Sequence, residues 1–153
     1  MRRKDREISR QEAEQVIDSS DFAVMATVNQ DGTPYCVPLS LARDGQWLYF
    51  HCATEGKKLD NLRYQNKVFI SFVSTVSIPH GFFTCHYRSA LIAGSAEEIT
   101  VPSEKIAALK CICERFTQDN MAHFDEALAR SLSITGVWKV HIDSITGKAK
   151  GSG

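Results

Sequence analysis

The fold is decided by FAVMATVNQDGTPYCVPLSL, residues 22–41, in which two apolar runs flank a short polar turn. The first run is rich in the Val, Thr and Phe residues that favour strands. Asp31 and Gly32 tolerate the positive φ that a hairpin turn requires. The second run contains Pro34 and Pro38, which cannot donate ladder hydrogen bonds and therefore favour an edge or irregular strand. The stretch predicts a β-hairpin with one strand at the border of a sheet.

Further strands follow this hairpin along the chain. A second turn, RDG at 43–45, leads into an aromatic run, so the first three strands are expected to form an antiparallel meander. Six strands joined mostly by hairpin-length turns predict a mainly β protein, an antiparallel β-barrel with flanking helices. The predicted strands cover residues 22–28, 34–42, 46–52, 67–76, 82–99 and the closing segment from 133.

Helices are predicted at the margins of the barrel. Ser9 and Glu12 have the spacing of a capping box, in which each side chain satisfies a backbone N–H of the other residue. Pro102 stands at the start of an apolar pattern with helical spacing, where its missing N–H costs nothing. The predicted helices cover residues 9–19, 55–65, 102–117 and 119–129.

Length and charge limit the classes of function. The chain has 153 residues, which predicts a single domain over residues 1–150 with a flexible tail at 151–153. It carries 18 basic and 18 acidic residues and has no net charge. A balanced chain has no global field to attract nucleic acid, so we expect no nucleic-acid partner. Any anion site must be built locally.

No membrane association is expected, because the longest apolar runs are far shorter than a membrane span. The N-terminus MRRKDREI lacks the apolar segment of a signal peptide, so we expect a cytoplasmic protein. The five cysteines are odd in number and form no CxxC pair, and the histidines lack the spacing of metal ligands. We therefore expect reduced thiols and no metal site.

The segment YFHCATEGKKLDNL, residues 49–62, concentrates residues that carry chemistry. Gly56 lets the backbone turn after a strand, and Lys57 and Lys58 can then converge on one anion, for which a phosphate is the natural candidate. The N-terminus of the following helix would add N–H donors. Alternatively, the lysine pair is solvated surface charge.

Two further side chains of this segment each have two interpretations. His51 could donate a hydrogen bond, supply a proton or contact a flat ligand. The alternative is a half-buried strand histidine with a backbone partner. Cys52 fits a small buried filler better than a nucleophile, because no base is paired with the thiol by sequence.

The strand HYRSALIAG, residues 86–94, places Tyr87, Arg88 and Ser89 in succession. Arg88 could meet an anion or a carboxylate across the barrel. The alternative is a structural ion pair without a ligand.

The order of these motifs carries a family resemblance that covers about residues 1–150. MRRKDREI, FAVMATVNQDGTPYCVPLSL, LYFHCATEGKKLDNLRYQNKV, YRSALIAGSAEEI and IDSITGK occur in that order. Together they resemble the Nim-type nitroimidazole-resistance proteins, a branch of the pyridoxamine-phosphate-oxidase-like flavin proteins.

The resemblance implies a six-stranded antiparallel split β-barrel that binds FMN and forms a homodimer with FMN at the subunit interface. By motif, Lys57 and Lys58 match the basic pair that grips the FMN phosphate, and His51 matches the histidine that faces the active site, implying a catalytic role. The positions that the resemblance implies as cofactor-binding are Val37, Pro38, Leu39, Ser40, His51, Cys52, Lys57, Lys58, Arg88 and Ser89.

The resemblance also implies an activity. We expect an FMN-dependent oxidoreductase that reduces small electron-poor acceptors in the manner of a nitroimidazole reductase. One alternative is pyridoxamine-phosphate-oxidase-like activity, which needs a second phosphate site, and the sequence shows no obvious basic cluster near its C-terminus. Another is a non-catalytic flavin- or haem-binding module. The reductant stays open, because no GxGxxG dinucleotide fingerprint is present.

Overall fold

In the computed structural model, residues 2–151 are described and build one antiparallel sheet with helices on its surface. Ser152 and Gly153, which belong to the predicted tail, lie outside the described residues. The strands are β1 (Glu7–Ile8), β2 (Ala23–Val28), β3 (Pro34–Leu39), β4 (Ala42–Asp44), β5 (Trp47–Cys52), β6 (Lys67–Ser77), β7 (His86–Glu98) and β8 (Gly136–Lys150).

The sheet curls into an open barrel. Its hydrogen-bonded order is β3-β2-β6-β7-β8-β5-β4, and β1 pairs with β8. The two end strands, β3 and β4, are joined by only Ser40 and Leu41, so the ends of the sheet must come close together. This arrangement confirms the predicted antiparallel barrel with flanking helices.

The strand inventory differs from the prediction in two respects. Residues 2–151 form eight strands instead of six, because the short β1 and β4 are added. The predicted strand over 34–42 is interrupted between β3 and β4, after Pro38 has removed a donor from the ladder. As a result β5 pairs with β4 and β8 rather than with β3, and the expected three-stranded meander does not form.

In the described part of the chain, four α-helices flank the sheet: α1 (Arg10–Ser19), α2 (Lys57–Tyr64), α3 (Pro102–Phe116) and α4 (Phe124–Ser131). The predicted capping box of α1 is confirmed, since the Glu12 N–H donates to Ser9 Oγ at 3.2 Å and the Ser9 N–H donates to Glu12 Oε2 at 2.9 Å. The last helix begins later than predicted, because residues 118–123 form 3₁₀ turns. Among the described helices, none is long and apolar enough to cross a membrane.

The core fills the inside of the barrel and is closed by α1. Phe50, Phe72 and Met25 are completely buried there, and α1 adds Val16 and Ile17. Each such side chain contributes about 1.5–3 kcal/mol through removal from water. A second small cluster lies where α3 packs on the outside of the barrel, and it comprises Ile99, Ala108, Leu109 and Val137.

The outside of β2, β6 and β7 carries apolar side chains that no helix covers. The strand registers place these side chains on one face, and they retain between 36% and 49% of their accessible surface. We call this the outer sheet face, and its residues are Val24, Val28, Phe69, Val73 and Leu91. The solvent side of an antiparallel sheet is usually polar, so this face has the character of a contact surface.

Candidate functional site

The junction of β5 and α2 is shaped by Gly56. Its φ of 135° lies in the region that side chains disfavour, and its carbonyl accepts from the N–H of Leu59 at 2.8 Å and of Asp60 at 3.1 Å. Gly56 is the N-cap of α2 and has no side chain to bond the first-turn N–H groups. The N-terminus of α2 is therefore left for an external acceptor.

A cleft of about 220 Å³ opens at this junction. Residues from β3, from the end of β5 and from the start of α2 form its walls. They are Tyr35, Val37, Cys52, Ala53, Glu55, Gly56, Lys57, Lys58 and Leu59. The structure therefore brings together four of the residues predicted from the sequence: Val37, Cys52, Lys57 and Lys58.

The two lysines have different surroundings. Lys58 is half-buried, with its ammonium 5.1 Å from the centre of the Phe50 ring, so a cation–π contact holds it beside the core. Lys57 is exposed and also borders an adjoining cleft that contains Asp31 and Asp60. One cation is thus fixed in place, and the other is free to reach toward a ligand.

Cys52 faces the inside of the barrel and packs against the core. Burial raises the pKa of its thiol, and the nearby ammonium of Lys58 opposes this shift without cancelling it. The thiol is therefore protonated at neutral pH, which agrees with a filler and not with a nucleophile.

His51 lies on the opposite face of β5, because side chains alternate along a strand. It is exposed, it pairs in register with Val137, and it does not line the cleft. Among residues 2–151 no hydrogen bond to its ring is present, so the alternative of a half-buried histidine with a backbone partner is wrong.

The four residues on and just after β3 that were predicted to bind the cofactor do not all face the same side of the sheet. Val37 and Leu39 are half-buried against the core, and only Val37 also borders the cleft. Pro38 is exposed, and the exposed Ser40 donates its hydroxyl to the carbonyl of Asp21 at 3.1 Å.

Arg88 and Ser89 lie away from the cleft. Arg88 forms an ion pair with Glu12 of α1 at 3.6 Å, and the Ser89 hydroxyl donates to the carbonyl of Lys148 at 3.4 Å. Arg88 pairs in register with Ala149, whereas the cleft adjoins the Gly136 end of β8. Within one chain, Arg88 and Ser89 do not line the cleft that contains the lysine pair.

Comparison with known proteins places this fold and cleft in a family. A sequence profile described as pyridoxamine 5'-phosphate oxidase matches residues 9–149, nearly the whole chain. The chain belongs to the pyridoxamine 5'-phosphate oxidase family. The recognised resemblance to pyridoxamine-phosphate-oxidase-like flavin proteins is thereby confirmed. Among curated proteins, none matches the chain significantly.

Solved structures similar to this family member have different descriptions. A candidate 5-nitroimidazole antibiotic resistance protein from Bacteroides thetaiotaomicron VPI-5482 is 30% identical, with a TM-score of 0.80 over 94% of this chain and 86% of that one. An FAD- and haem-binding protein from Mycobacterium smegmatis is 25% identical, with a TM-score of 0.81 over 94% and 72%. A candidate pyridoxamine 5'-phosphate oxidase from Listeria innocua, 16% identical, shares the fold with a TM-score of 0.63 over 93% and 98%.

Sequence reasoning missed Asn61, a buried polar residue of this family member. Its side-chain amide donates to Thr27 Oγ1 at 3.0 Å and to Asn29 Oδ1 at 2.9 Å. These bonds tie α2 to the end of β2 and to the turn that follows. The spacing of apolar residues along α2 does not predict these hydrogen bonds, because the partners of Asn61 lie outside that helix.

A second cationic cluster is also present, contrary to the sequence argument that none lies near the C-terminus. Lys148 of β8 and Arg6, just before β1, both approach the phenol of Tyr87 on β7. The pairing of Glu7 with Lys148 brings the two ends of the chain together. Inspection of the C-terminal segment alone could not reveal a cluster that needs the N-terminal segment.

Proposed function

We propose that this chain is an FMN-dependent oxidoreductase that reduces small electron-poor acceptors, with a nitroaromatic ring such as a 5-nitroimidazole as one substrate class. One observation carries the proposal: Lys57 and Lys58 flank the uncapped N-terminus of α2 in a cleft that also has an apolar wall. Membership of the family supports it.

The residues of the cleft fit a flavin monophosphate. Two ammonium groups and the first-turn N–H groups of α2 match a phosphate dianion, while Val37 and Leu59 offer apolar contact to a ring. The carboxylates of Asp31 and Asp60 border the adjoining cleft beside Lys57. They would repel a second phosphate there, which favours FMN over FAD.

A homodimer would complete the site. The cleft of about 220 Å³ is smaller than the roughly 300–1,000 Å³ of most small-molecule sites, so one chain supplies part of a cofactor pocket. The outer sheet face gives a second copy an apolar surface to bind. In such a dimer, Arg88 and Ser89 would reach the cofactor that the partner's lysine pair holds.

His51 would act on the acceptor and not on the phosphate. Bound flavin supplies the electrons for reduction, and reduction of a nitro group also consumes protons. An exposed imidazole that lies two positions before Ala53 of the cleft wall is placed to donate a proton or to contact a flat substrate.

Flavin binding is tested first. The absorbance spectrum of the purified protein separates a flavin from a haem, whose Soret band would instead support a haem-binding module. Replacing Lys57 and Lys58 together by Ala should weaken FMN binding by at least about 100-fold, because at least two charge-assisted hydrogen bonds of about 1.5–3 kcal/mol each are lost. Riboflavin, which has no phosphate, should bind both forms equally.

The control variant is Lys110→Ala, which removes an exposed lysine of α3 whose partner is Glu114 at 3.8 Å. It should bind FMN like the parent protein. Unchanged FMN affinity in the double variant would place the phosphate elsewhere.

Acceptor reduction is then measured without oxygen, with photoreduced protein-bound FMN and a 5-nitroimidazole. The nitro absorbance should fall faster than with the same amount of free reduced FMN, and His51→Ala should slow the loss about 10²-fold or more if the imidazole is a general acid. Equal rates with and without the protein would exclude the proposed activity.

A further inference from the structure

A cavity of about 320 Å³ lies on the outside of the barrel, where α3 packs over β5 and β8. This volume falls within the roughly 300–1,000 Å³ of small-molecule sites. Trp47 and Tyr49 line it from the outward face of β5, because they alternate along the strand with the core residues Leu48 and Phe50. Part of the α3 wall is Ala107, whose methyl side chain leaves the space open.

An ammonium group of the chain itself already lies at this cavity. Lys139 of β8 pairs in register with Tyr49, and its Nζ is 5.1 Å from the centre of the Trp47 ring. The same Nζ is 3.7 Å from Glu97 Oε2 and 3.7 Å from Glu104 Oε2, and 20% of the Lys139 side chain is exposed. A cation held by an aromatic ring and two carboxylates shows which ligand chemistry this part of the surface favours.

The carboxylates around the cavity outnumber this ammonium. Asp44, the last residue of β4, lines the cavity, and within residues 2–151 no cation lies at ion-pair distance from it. The neighbouring Arg43 instead donates from Nε to Asp18 Oδ1 at 2.8 Å. With Glu97 and Glu104, three carboxylates surround one ammonium, so two negative charges are left unbalanced. In a protein without net charge, such a local excess is available to a cation.

The phenol of Tyr49 and the thiol of Cys111, which also lines the cavity, respond to the same negative charge. Burial raises the pKa of Tyr49, and the carboxylates of Asp44 and Glu104 raise it further. Burial likewise raises the pKa of Cys111, and the charge of Asp44 adds to this effect. Both groups are therefore neutral at neutral pH, and the carboxylates that oppose their ionisation would attract a cation.

We propose that this cavity binds a small organic cation, an alkylammonium ion with a short apolar body. The rings of Trp47 and Tyr49 would contact the cation and its alkyl groups, and the carboxylates of Asp44 and Glu104 would attract its charge. The bound ion would compete with the ammonium of Lys139 for the Trp47 ring.

This site is separate from the cleft proposed to hold FMN. No residue lines both cavities, and none of the residues predicted to bind FMN lines this one. His51 lies on the same outward face of β5 as Tyr49 but does not border the cavity. The inference therefore does not rest on the proposed function.

The test uses the ¹⁵N-labelled full chain, whose two tryptophans give two indole N–H signals. Tetramethylammonium chloride is titrated at constant ionic strength maintained with NaCl, and tert-butanol serves as a neutral molecule of similar shape. The Trp47 signal, identified by its loss in Trp47→Phe, should shift with the ammonium ion and not with tert-butanol. Trp138 is buried in the core, so its signal should stay constant in both titrations.

Variants separate the ion from its surroundings. Asp44→Asn should weaken tetramethylammonium binding about fivefold, because one nearby opposite charge is removed. Ala107→Leu should also weaken it, because the larger side chain fills part of the cavity. Lys139→Gln should instead tighten binding about fivefold, because the competing ammonium is removed. Glu126→Gln, an exposed carboxylate of α4 outside the cavity, is the matched control and should bind like the parent. Unfolding midpoints within the error of the parent value show that a variant is folded.

Four results would overturn the proposal. The absence of any Trp47 shift would mean that the ion does not bind here, and an equal shift with tert-butanol would mean that the cavity does not select a charge. Unchanged affinity in the folded Asp44→Asn and Ala107→Leu variants would place the ion elsewhere. Weaker binding in folded Lys139→Gln would mean that Lys139 supports the cavity and does not compete for it. None of these results bears on FMN binding at the other cleft.

Discussion

Asn61 illustrates how one buried side chain can set the geometry of a site that it does not line. Its amide joins α2, which carries both lysines, to Thr27 and Asn29. Asn61→Leu keeps a side chain of similar volume but removes both hydrogen bonds that the Asn61 amide donates. We expect FMN binding to weaken about tenfold, because a displaced α2 misplaces the lysine pair, and the free energy of unfolding to fall by about 1–3 kcal/mol.

Riboflavin distinguishes positioning from general damage in this variant. Without a phosphate, riboflavin should bind Asn61→Leu and the parent protein alike, as measured by flavin fluorescence. Asn66→Leu, an exposed substitution just after α2, is the matched control. Equal losses for FMN and riboflavin would contradict the positioning role, as would an unchanged FMN affinity.

Residues differ in how far the sequence predicts their roles. The capping box of Ser9 and Glu12 was predictable, because its hydrogen bonds join residues three apart. The exposed position of His51 and the half-buried position of Cys52 depend on which face of β5 points inward. The contacts of Asn61 and the cluster at Tyr87 join residues far apart in sequence, so no local pattern indicates them.

At the scale of elements, Gly147 lets β1 and α1 approach β8. A Cβ atom there would lie 2.5 Å from Ile8 Cγ1 and 2.7 Å from the Ala13 Cβ. Gly147→Ala should therefore lower the free energy of unfolding by about 1–3 kcal/mol, through overpacking. Equilibrium urea unfolding measures this change through the midpoint.

An exposed position on the same strand provides the comparison. Ser144→Ala should change stability by no more than about 0.5 kcal/mol, because its side chain is solvated. If Gly147→Ala were as stable as the parent, β1 and α1 would be able to move outward without any decrease in the free energy of unfolding. The close packing of these elements against β8 would then contribute little.

The bounds of the helices and strands show which of them follow from the local sequence and which depend on strand pairing. The α3 prediction succeeded because Pro102 begins the helix and the apolar spacing continues through it. The strand predicted from residue 82 begins at His86, where pairing with Ser77 of β6 starts. The division of residues 34–42 into β3 and β4 likewise depends on pairing, because β3 pairs with the strand before it, β2, and β4 with the strand after it, β5.

At the scale of the whole molecule, the predicted cofactor residues fall into two groups at opposite ends of β8. Lys57 and Lys58 lie near Gly136, and Arg88 pairs with Ala149. The sequence resemblance assigned both groups to one cofactor, and no local pattern could show that one chain keeps them apart. In the proposed homodimer, two copies related by a twofold axis would resolve this separation, because the Arg88 group of each copy could reach the lysine pair of the other.

Phe69 tests this arrangement, because it belongs to the outer sheet face and keeps 49% of its surface exposed in one chain. Phe69→Lys should cost the isolated chain little stability, yet it would place a charge against the apolar surface of a partner. We expect the sedimentation mass to halve and FMN binding to weaken at the same protein concentration, because each cofactor site would lose its second wall.

Ile134→Lys is the control for replacing an exposed apolar side chain by lysine at a position outside the proposed interface. Ile134 is 69% exposed but lies in the turn before β8, away from the outer sheet face. This variant should stay dimeric and bind FMN. A Phe69→Lys protein that remains dimeric would place the interface elsewhere, and a monomer with full FMN affinity would show that one chain holds the cofactor by itself. Loss of both dimer and FMN in Phe69→Lys alone connects assembly to cofactor binding, because the substituted side chain does not border the cleft.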